Sequence, residues 1–384
     1  MSLWSSILGA RRPSVLPEAL DSLELDLARL KEVISSAGDI GLALRLLLSG
    51  SDPTNQLRQI NRRFGKQLAK ASARDRRGRA NAFAAGDAVL PVGVRAPAVI
   101  PPEASTVRET GCAALGRTMT DTELGAIHAH LRDKPVLLAH VPGPATEQVA
   151  SIDLVPPDRN YACYNSLDLW SSPGLIEFAT QDRFIDLAQA YLGCTPTMYS
   201  LNAFWSFPNR EPHKASQVFH RDWEDYRSLV IFTQLTPVDL PEDGAHYYVE
   251  TSHDVAKFEQ TLRGQEIAPA DIEALSVRDE TVIAPLAMKL FKTTSRRFDG
   301  PAGQSFCADG YGLHRAEVPR TRPRLLLWIR FGNFFNDTAY ALEPGCAHAE
   351  AAADLLERIP ATPRHRYVFR YLIQSLESQP RRLK

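Results

Sequence analysis

Apolar and polar positions divide the chain into two regions with different periods. In the first, Leu16, Leu20, Leu23, Leu27, Leu30 and Ile34 step by four and three, the spacing that aligns side chains on one helix face. Asp39 is placed to cap a second helix ending near Gly50, and Asp52-Pro53 forms an N-cap and first-turn pair for a third. Leu57, Ile60, Phe64 and Leu68 give that third helix an apolar stripe. Residues 1–85 therefore read as a helical N-terminal extension. Residues 86–106, with Pro91, Pro97, Pro101 and Pro102, read as a Pro-rich linker.

From residue 107 the period changes. Thr120-Asp121-Thr122-Glu123 opens a predicted helix to Asp133, and another runs from Asp182 to Leu192, stopped by Gly193. Short runs rich in β-branched and aromatic residues follow: Met198 to Phe207, Tyr226 to Val238, Ala245 to Glu250, Glu280 to Leu286 and Leu325 to Phe331. Helical patterning returns from His348 to Arg358 and around Tyr367 to Leu376. Residues 107–384 thus read as one mainly β domain, a sandwich or jelly roll with helices packed outside.

Charge changes this picture in one place. The chain carries 44 Lys and Arg against 45 Asp and Glu, a net charge of −1, so no global field points to nucleic acid or an anionic membrane. The neutrality is a cancellation: residues 58–79 hold nine basic residues and the single acid Asp75. This basic segment reads first as the solvated face of an amphipathic helix and second as a docking surface for an acidic partner. It lacks the interleaved aromatics of single-strand binders, so nucleic acid is not expected. Cys112, Cys163, Cys194, Cys307 and Cys346 are odd in number, widely spaced and form no CxxC pair. That excludes a disulfide framework or zinc ribbon and fits a reducing compartment. No apolar run reaches transmembrane length, and the expected location is cytoplasmic.

The chemistry is concentrated in Gln217-Val218-Phe219-His220-Arg221-Asp222. In an extended segment, residues two apart face the same side with Cα atoms about 6.6 Å apart. His220 and Asp222 can therefore converge on one metal ion. By itself a His-x-Asp triplet is common; His348-Ala349-Glu350, in a helical segment where i and i+2 diverge, is a decoy. The second cluster raises the weight of the first. His314 lies 94 residues further on, and Arg324 follows it at the start of an apolar strand. Two histidines and a carboxylate on one face of an iron form the facial triad of non-haem Fe(II) oxygenases. A planar guanidinium nearby can hold a dicarboxylic cosubstrate through its distal carboxylate. These are the parts a 2-oxoglutarate oxygenase needs.

Further motifs stand around these residues. They are Arg108-Glu109-Thr110-Gly111, Ala190-Tyr191-Leu192-Gly193-Cys194, Tyr199-Ser200-Leu201-Asn202, Leu235-Thr236-Pro237-Val238 and Asp243-Gly244-Ala245-His246-Tyr247-Tyr248-Val249, closing on Ser252-His253. With them, the stretch from about Val107 to Asn333 resembles the phytanoyl-CoA dioxygenase family of Fe(II)/2-oxoglutarate-dependent oxygenases. The resemblance implies a cupin-like double-stranded β-helix with outer helices, with His220, Asp222 and His314 as catalytic iron ligands. It also implies Fe(II), 2-oxoglutarate and O2 as cofactors, with Arg324 anchoring the cosubstrate and Asn202 and Gln217 bordering it. The chain departs from the family pattern at Ala316, where members often carry a small hydroxyl residue. The interval to the arginine is also one residue short, which leaves Arg322 as a rival to Arg324.

The expected activity is hydroxylation of an unactivated C–H bond in a small or medium organic metabolite, with release of succinate and CO2. Related halogenases have Ala or Gly where this chain has Asp222, so halogenation is not expected. Desaturation, cyclisation or epimerisation would use the same cofactors, and a catalytically silent binding or regulatory protein is the alternative from another class. Trp205, Trp223 and Tyr226 are candidates for the substrate wall, and Arg210 and His213 for a loop approaching substrate. His246 and His253 read as structural, and His128 and His130 as packed or solvated.

Overall fold

The computed structural model describes residues 100–139, 147–193, 195–208, 215–222, 227–275, 280–332 and 349–369, together with 372, 373 and 376. The expected helical extension 1–85, the basic segment 58–79, most of the linker, and Arg210, His213, Trp223 and Tyr226 lie outside these residues.

The described fold opens with α1 (Pro102–Thr110), so the last residues of the expected linker are helical instead. Pro102 sits in the first turn, where its missing N–H is not needed, and Ala104 and Val107 are buried. There follow β1 (Cys112–Arg117), α2 (Asp121–Leu131), β2 (Val136–Ala139), β3 (Glu147–Val149), β4 (Tyr161–Tyr164), α3 (Ser166–Trp170), α4 (Leu175–Ala179) and α5 (Asp182–Leu192). Next come β5 (Thr197–Ser206), β6 (Ser228–Gln234), β7 (His246–Tyr248), α6 (Val255–Arg263), α7 (Pro269–Ala274) and α8 (Glu280–Phe291). The chain continues through β8 (Arg296–Phe298), β9 (Gln304–Ala308), β10 (His314–Ala316), β11 (Arg324–Gly332), α9 (Ala349–Arg358) and α10 (Pro363–Val368).

Local signals place several boundaries where the sequence reading expects them. Thr120 accepts a hydrogen bond from the Glu123 N–H while Glu123 reaches back, a capping box that starts α2. Gly193, at φ 72°, ends α5 in the left-handed conformation. One expectation fails. Glu280 to Leu286, expected as a strand, lies in helix α8 with Pro285 inside it. Ile283, Ala287 and Phe291 are buried at intervals of four, a period that a seven-residue window of Thr, Val and Ile does not expose. The helical patterning expected around Tyr367 to Leu376 is met by helical residues 372, 373 and 376 and by α10, which Thr362 caps by accepting from the His365 N–H.

The strands form two antiparallel sheets. The larger has the order β1-β9-β6-β11-β5-β4-β2-β3, and the smaller β10-β7-β8. One face of the large sheet is covered by helices. Leu201, Ala203, Leu229, Ile231, Leu325, Leu327, Ile329 and Phe331 bury there with Phe184, Ile185 and Ala188 of α5. Each of these leucine, isoleucine and phenylalanine side chains contributes about 1.5–3 kcal/mol of burial free energy. The opposite face carries Val230, Phe232, Phe306, Leu326 and Trp328, which cluster with Tyr248 and Phe298 of the small sheet. The two sheets thus face one another across an aromatic-lined interior. No helix among the described residues is long and apolar enough to cross a membrane.

Candidate active site

The interior is sidedness made chemical. On β11, Arg324, Leu326, Trp328 and Arg330 alternate with the helix-facing Leu325, Leu327 and Ile329, so the two arginines point to the same face. Both are buried, at 4% and 8% exposure. The register sets Ser206, Phe204, Asn202 and Ser200 of β5 beside them.

The His220–Asp222 segment runs along β10. His220 donates its backbone N–H to the His314 carbonyl at 3.0 Å, and His314 returns the bond at 3.1 Å. The Asp222 N–H donates to the Gly310 carbonyl at 2.8 Å. This short pairing joins two sequence segments that are far apart and brings their side chains together. Between the two ligands, Arg221 points the other way, donating to the carbonyls of Ser252, Leu275 and Tyr311. The alternation expected of an extended segment is realised, and Arg221 pins its outer side.

Nε2 of His220 lies 3.7 Å from Oδ1 of Asp222, and Nε2 of His314 lies 3.8 Å from Oδ2. One ligand atom from each of the three residues falls within 4.8 Å of the others. These separations exceed a hydrogen bond and suit donors grouped around one cation. The tautomers also suit it. His220 donates Nδ1–H to the Val218 carbonyl and His314 donates Nδ1–H to the Gly312 carbonyl, each at 2.8 Å. Both Nε2 lone pairs therefore face the cluster, with the ring orientation held by a backbone acceptor. Burial and the neighbouring His220 push the His314 pKa down to about 4, which keeps that ring neutral. Gly312 is required by packing: a Cβ there would fall 1.8 Å from the Tyr248 hydroxyl, which itself donates to the Asp309 carbonyl. Two imidazoles presenting Nε2 and one carboxylate, grouped this closely, fit a divalent transition metal such as Fe(II).

Two residues that the sequence reading did not single out complete the electrostatics. Arg330 places a guanidinium nitrogen 3.5 Å from Oδ2 of Asp222 and lies over the Trp328 ring at 5.0 Å. Its spacing of six from Arg324 on one strand is the signal that could have found it. Tyr161 of β4 pairs in register with Ser206, which pairs with Arg324, so the three form a row. No local motif marks Tyr161.

Arg324 and Arg322 have different surroundings. Arg322 grips Asp243 with two hydrogen bonds, Nε to Oδ1 at 2.7 Å and Nη2 to Oδ2 at 2.6 Å. Its side chain is 44% exposed, and the pair ties the start of β11 to the turn before β7. Arg324 donates through Nη2 to the Ser206 hydroxyl at 3.2 Å, while its Nε is buried with no hydrogen-bond partner. No carboxylate among the described residues forms an ion pair with it. Burial pulls its pKa down to about 10. A buried cation in this state is stabilised by any anion that can reach it.

The remaining candidates separate cleanly. Asn202 is on the interior face across from Trp328, its Oδ1 accepting from the Ala203 N–H at 2.7 Å. Gln217 is buried in the turn Ala215–Gln217, beside Ser216, whose hydroxyl meets the Tyr161 hydroxyl at 2.9 Å. Trp205 packs on the helix side of the sheet and donates to the Tyr164 hydroxyl, so it does not wall the interior. His253 bonds the Arg108 carbonyl, His128 that of Leu235 and His130 that of Asp168, all packing roles. His246, expected to be structural, lies in the interior with its ring 5.4 Å from that of His314.

No protein-family model matches the chain, and no curated protein does. Solved structures with a similar fold include the non-heme alpha ketoglutarate dependent epimerase SnoN from nogalamycin biosynthesis. It shares 16% identity over 66% of this chain and 92% of that one, with a TM-score of 0.41. EctD from S. alaskensis shares 16% identity over 61% and 77%, at 0.38. EvdO2 from Micromonospora carbonacea var. aurantiaca, complexed with 2-oxoglutarate, shares 19% over 62% and 92%, at 0.39. These are loose likenesses, and the functional reading rests on the side chains themselves.

Proposed function

We propose that this chain is an Fe(II)/2-oxoglutarate-dependent oxygenase that hydroxylates a C–H bond of a small or medium organic substrate. The observation that carries this reading is the pairing, on one interior, of a His220–Asp222–His314 cluster with the buried Arg324, whose Nε has no hydrogen-bond partner and which forms no ion pair among the described residues. His220, Asp222 and His314 hold the metal, and Arg324 receives the distal carboxylate of 2-oxoglutarate. Bound iron with 2-oxoglutarate supplies the activation of O2, with succinate and CO2 as co-products.

The chain's own residues do the rest. The Val218 and Gly312 carbonyls hold both imidazoles in the tautomer that presents Nε2. Asp222 contributes the negative charge that offsets the cation, and its presence fills the third ligand position, which favours hydroxylation over halogenation. Phe204, Phe232, Phe306 and Trp328 line the interior and keep water from the reacting centre. Ser206 orients the Arg324 fork by accepting from one of its nitrogens.

The test is succinate formation from 2-oxoglutarate by the purified Fe(II)-loaded protein, with metabolite extracts as the substrate source. Turnover that requires both Fe(II) and O2 and disappears in His220→Ala supports the reading. A protein that binds neither metal nor 2-oxoglutarate overturns it in favour of a silent binding module on the same fold.

A further inference from the structure

The interior holds a second polar group whose hydrogen-bonding capacity is unmet. His246 is 6% exposed, and both of its ring nitrogens are buried without a partner. Its ring packs against Phe232 at 4.8 Å and Phe306 at 5.1 Å, and lies nearly parallel to His314 at 5.4 Å. A neutral imidazole carries one donor and one acceptor, and a buried polar group left with neither satisfied is rare in a native interior. A leucine would fill this space between aromatic rings without that cost. The histidine is therefore accounted for by something the interior binds.

Its neighbours indicate what that is. The fixed positive charges near it are Arg324 and Arg315, which favour an anion in this part of the interior. The residue directly across from it on β10 is Ala316, which offers no polar atom. That is the position where the resemblance to known oxygenases leads one to expect a hydroxyl. Arg324 adds a buried Nε that likewise lacks a partner. The two unsatisfied groups flank the same interior, between the metal cluster and the start of β11.

We propose that His246 is a further cosubstrate-binding residue, donating a hydrogen bond to the distal carboxylate of the 2-oxo dicarboxylate that Arg324 holds. This rests on the functional reading above and sharpens it. Anion recognition is shared between a guanidinium on the large sheet and an imidazole on the small one, so the cosubstrate bridges the two sheets. His246 supplies from β7 the donor that Ala316 cannot supply from β10.

The experiment is calorimetric binding to the Mn(II)-loaded protein without oxygen, where no turnover occurs. Two ligands are compared: 2-oxoglutarate, and oxalate, which can occupy only the metal end. His246→Leu should raise the Kd for 2-oxoglutarate about tenfold or more, the effect of losing one hydrogen bond to a charged group. Its Kd for oxalate and for Mn(II) should be unchanged. Should the leucine variant fail to fold, His246→Ala is read by the same comparison. An unchanged Kd for 2-oxoglutarate overturns the proposal, and so does an equal loss toward oxalate, which would place His246 at the metal end. A wild-type protein that takes Mn(II) but ignores 2-oxoglutarate would instead overturn the functional reading beneath it.

Discussion

The two faces of the large sheet are made from alternate residues of the same strands and differ in how completely they are satisfied. On the helix-covered face, Leu325, Leu327, Ile329 and Phe331 of β11 join one apolar cluster with α5, and the hydroxyl of Thr233, beside Leu327, is satisfied by Ser305. On the interior face, the intervening Arg324 and Trp328 each keep a buried nitrogen without a partner, as does His246 opposite, and Ser200 keeps a buried hydroxyl. The first face is finished by folding alone. The second is left with polar groups that a ligand would complete. A protein this long buries enough apolar surface on one side of a sheet to tolerate unmet polar groups on the other.

Substitutions can break that contrast, beginning with the largest expected effect. Ile329→Ala removes a fully buried side chain from the helix-covered face and should cost about 2–5 kcal/mol in urea unfolding. Binding of metal and 2-oxoglutarate to the remaining folded protein should persist. Asp222→Ala acts on the interior: Mn(II) affinity should fall by about a hundredfold or more in calorimetry, with a much smaller change in unfolding free energy. A comparable loss of stability would mean that Asp222 serves folding first.

Arg324→Gln sharpens the contrast further. It removes a buried cation that forms no ion pair among the described residues, so the apoprotein should be as stable as the parent or more so. The Kd for 2-oxoglutarate should rise about tenfold to a hundredfold. Arg322→Gln, two residues away, should do the reverse, leaving 2-oxoglutarate binding unchanged. It should lower stability by about 1–2 kcal/mol, because it strands Asp243, which is almost wholly buried. Any shift of the 2-oxoglutarate Kd in Arg322→Gln comparable to that of Arg324→Gln would return the anchor role to Arg322.

The smallest effect is one of pH. Arg322 holds the Asp243 carboxyl below its ordinary value, chiefly through the paired hydrogen bonds. A carboxylate with a depressed folded-state pKa adds stability above its unfolded pKa of about 3.9, and that increment is lost as pH falls through the folded value. Acid titration of unfolding free energy should therefore drop more steeply below about pH 4 in the parent than in Arg322→Gln. Identical slopes would show that the pair contributes nothing measurable.

Much of this was legible in order along the chain. The capping box at Thr120, the stop at Gly193, the apolar strand from Leu325 and the His-x-Asp spacing are local features, each set by residues within a few positions. Helix α8 carries a strand-like local pattern, because Thr281, Val282 and Ile283 are β-branched. The choice between helix and strand there is made by what Ile283, Ala287 and Phe291 bury against.

The sequence by itself determined which residue types could hold a metal and an acid, because His220, Asp222, His314 and the arginines are matters of chemistry and short spacing. Tertiary structure decided the rest. The two-bond pairing of His220 with His314 joins segments that no local rule connects. Strand register decided that Arg324 faces the interior while Arg322 is committed to Asp243. It also set His246 across from Ala316, beside His314. The physical reason is that alternation in a strand sorts side chains into two faces. Only the packing of helices on one face and a second sheet on the other tells which face is core and which is site.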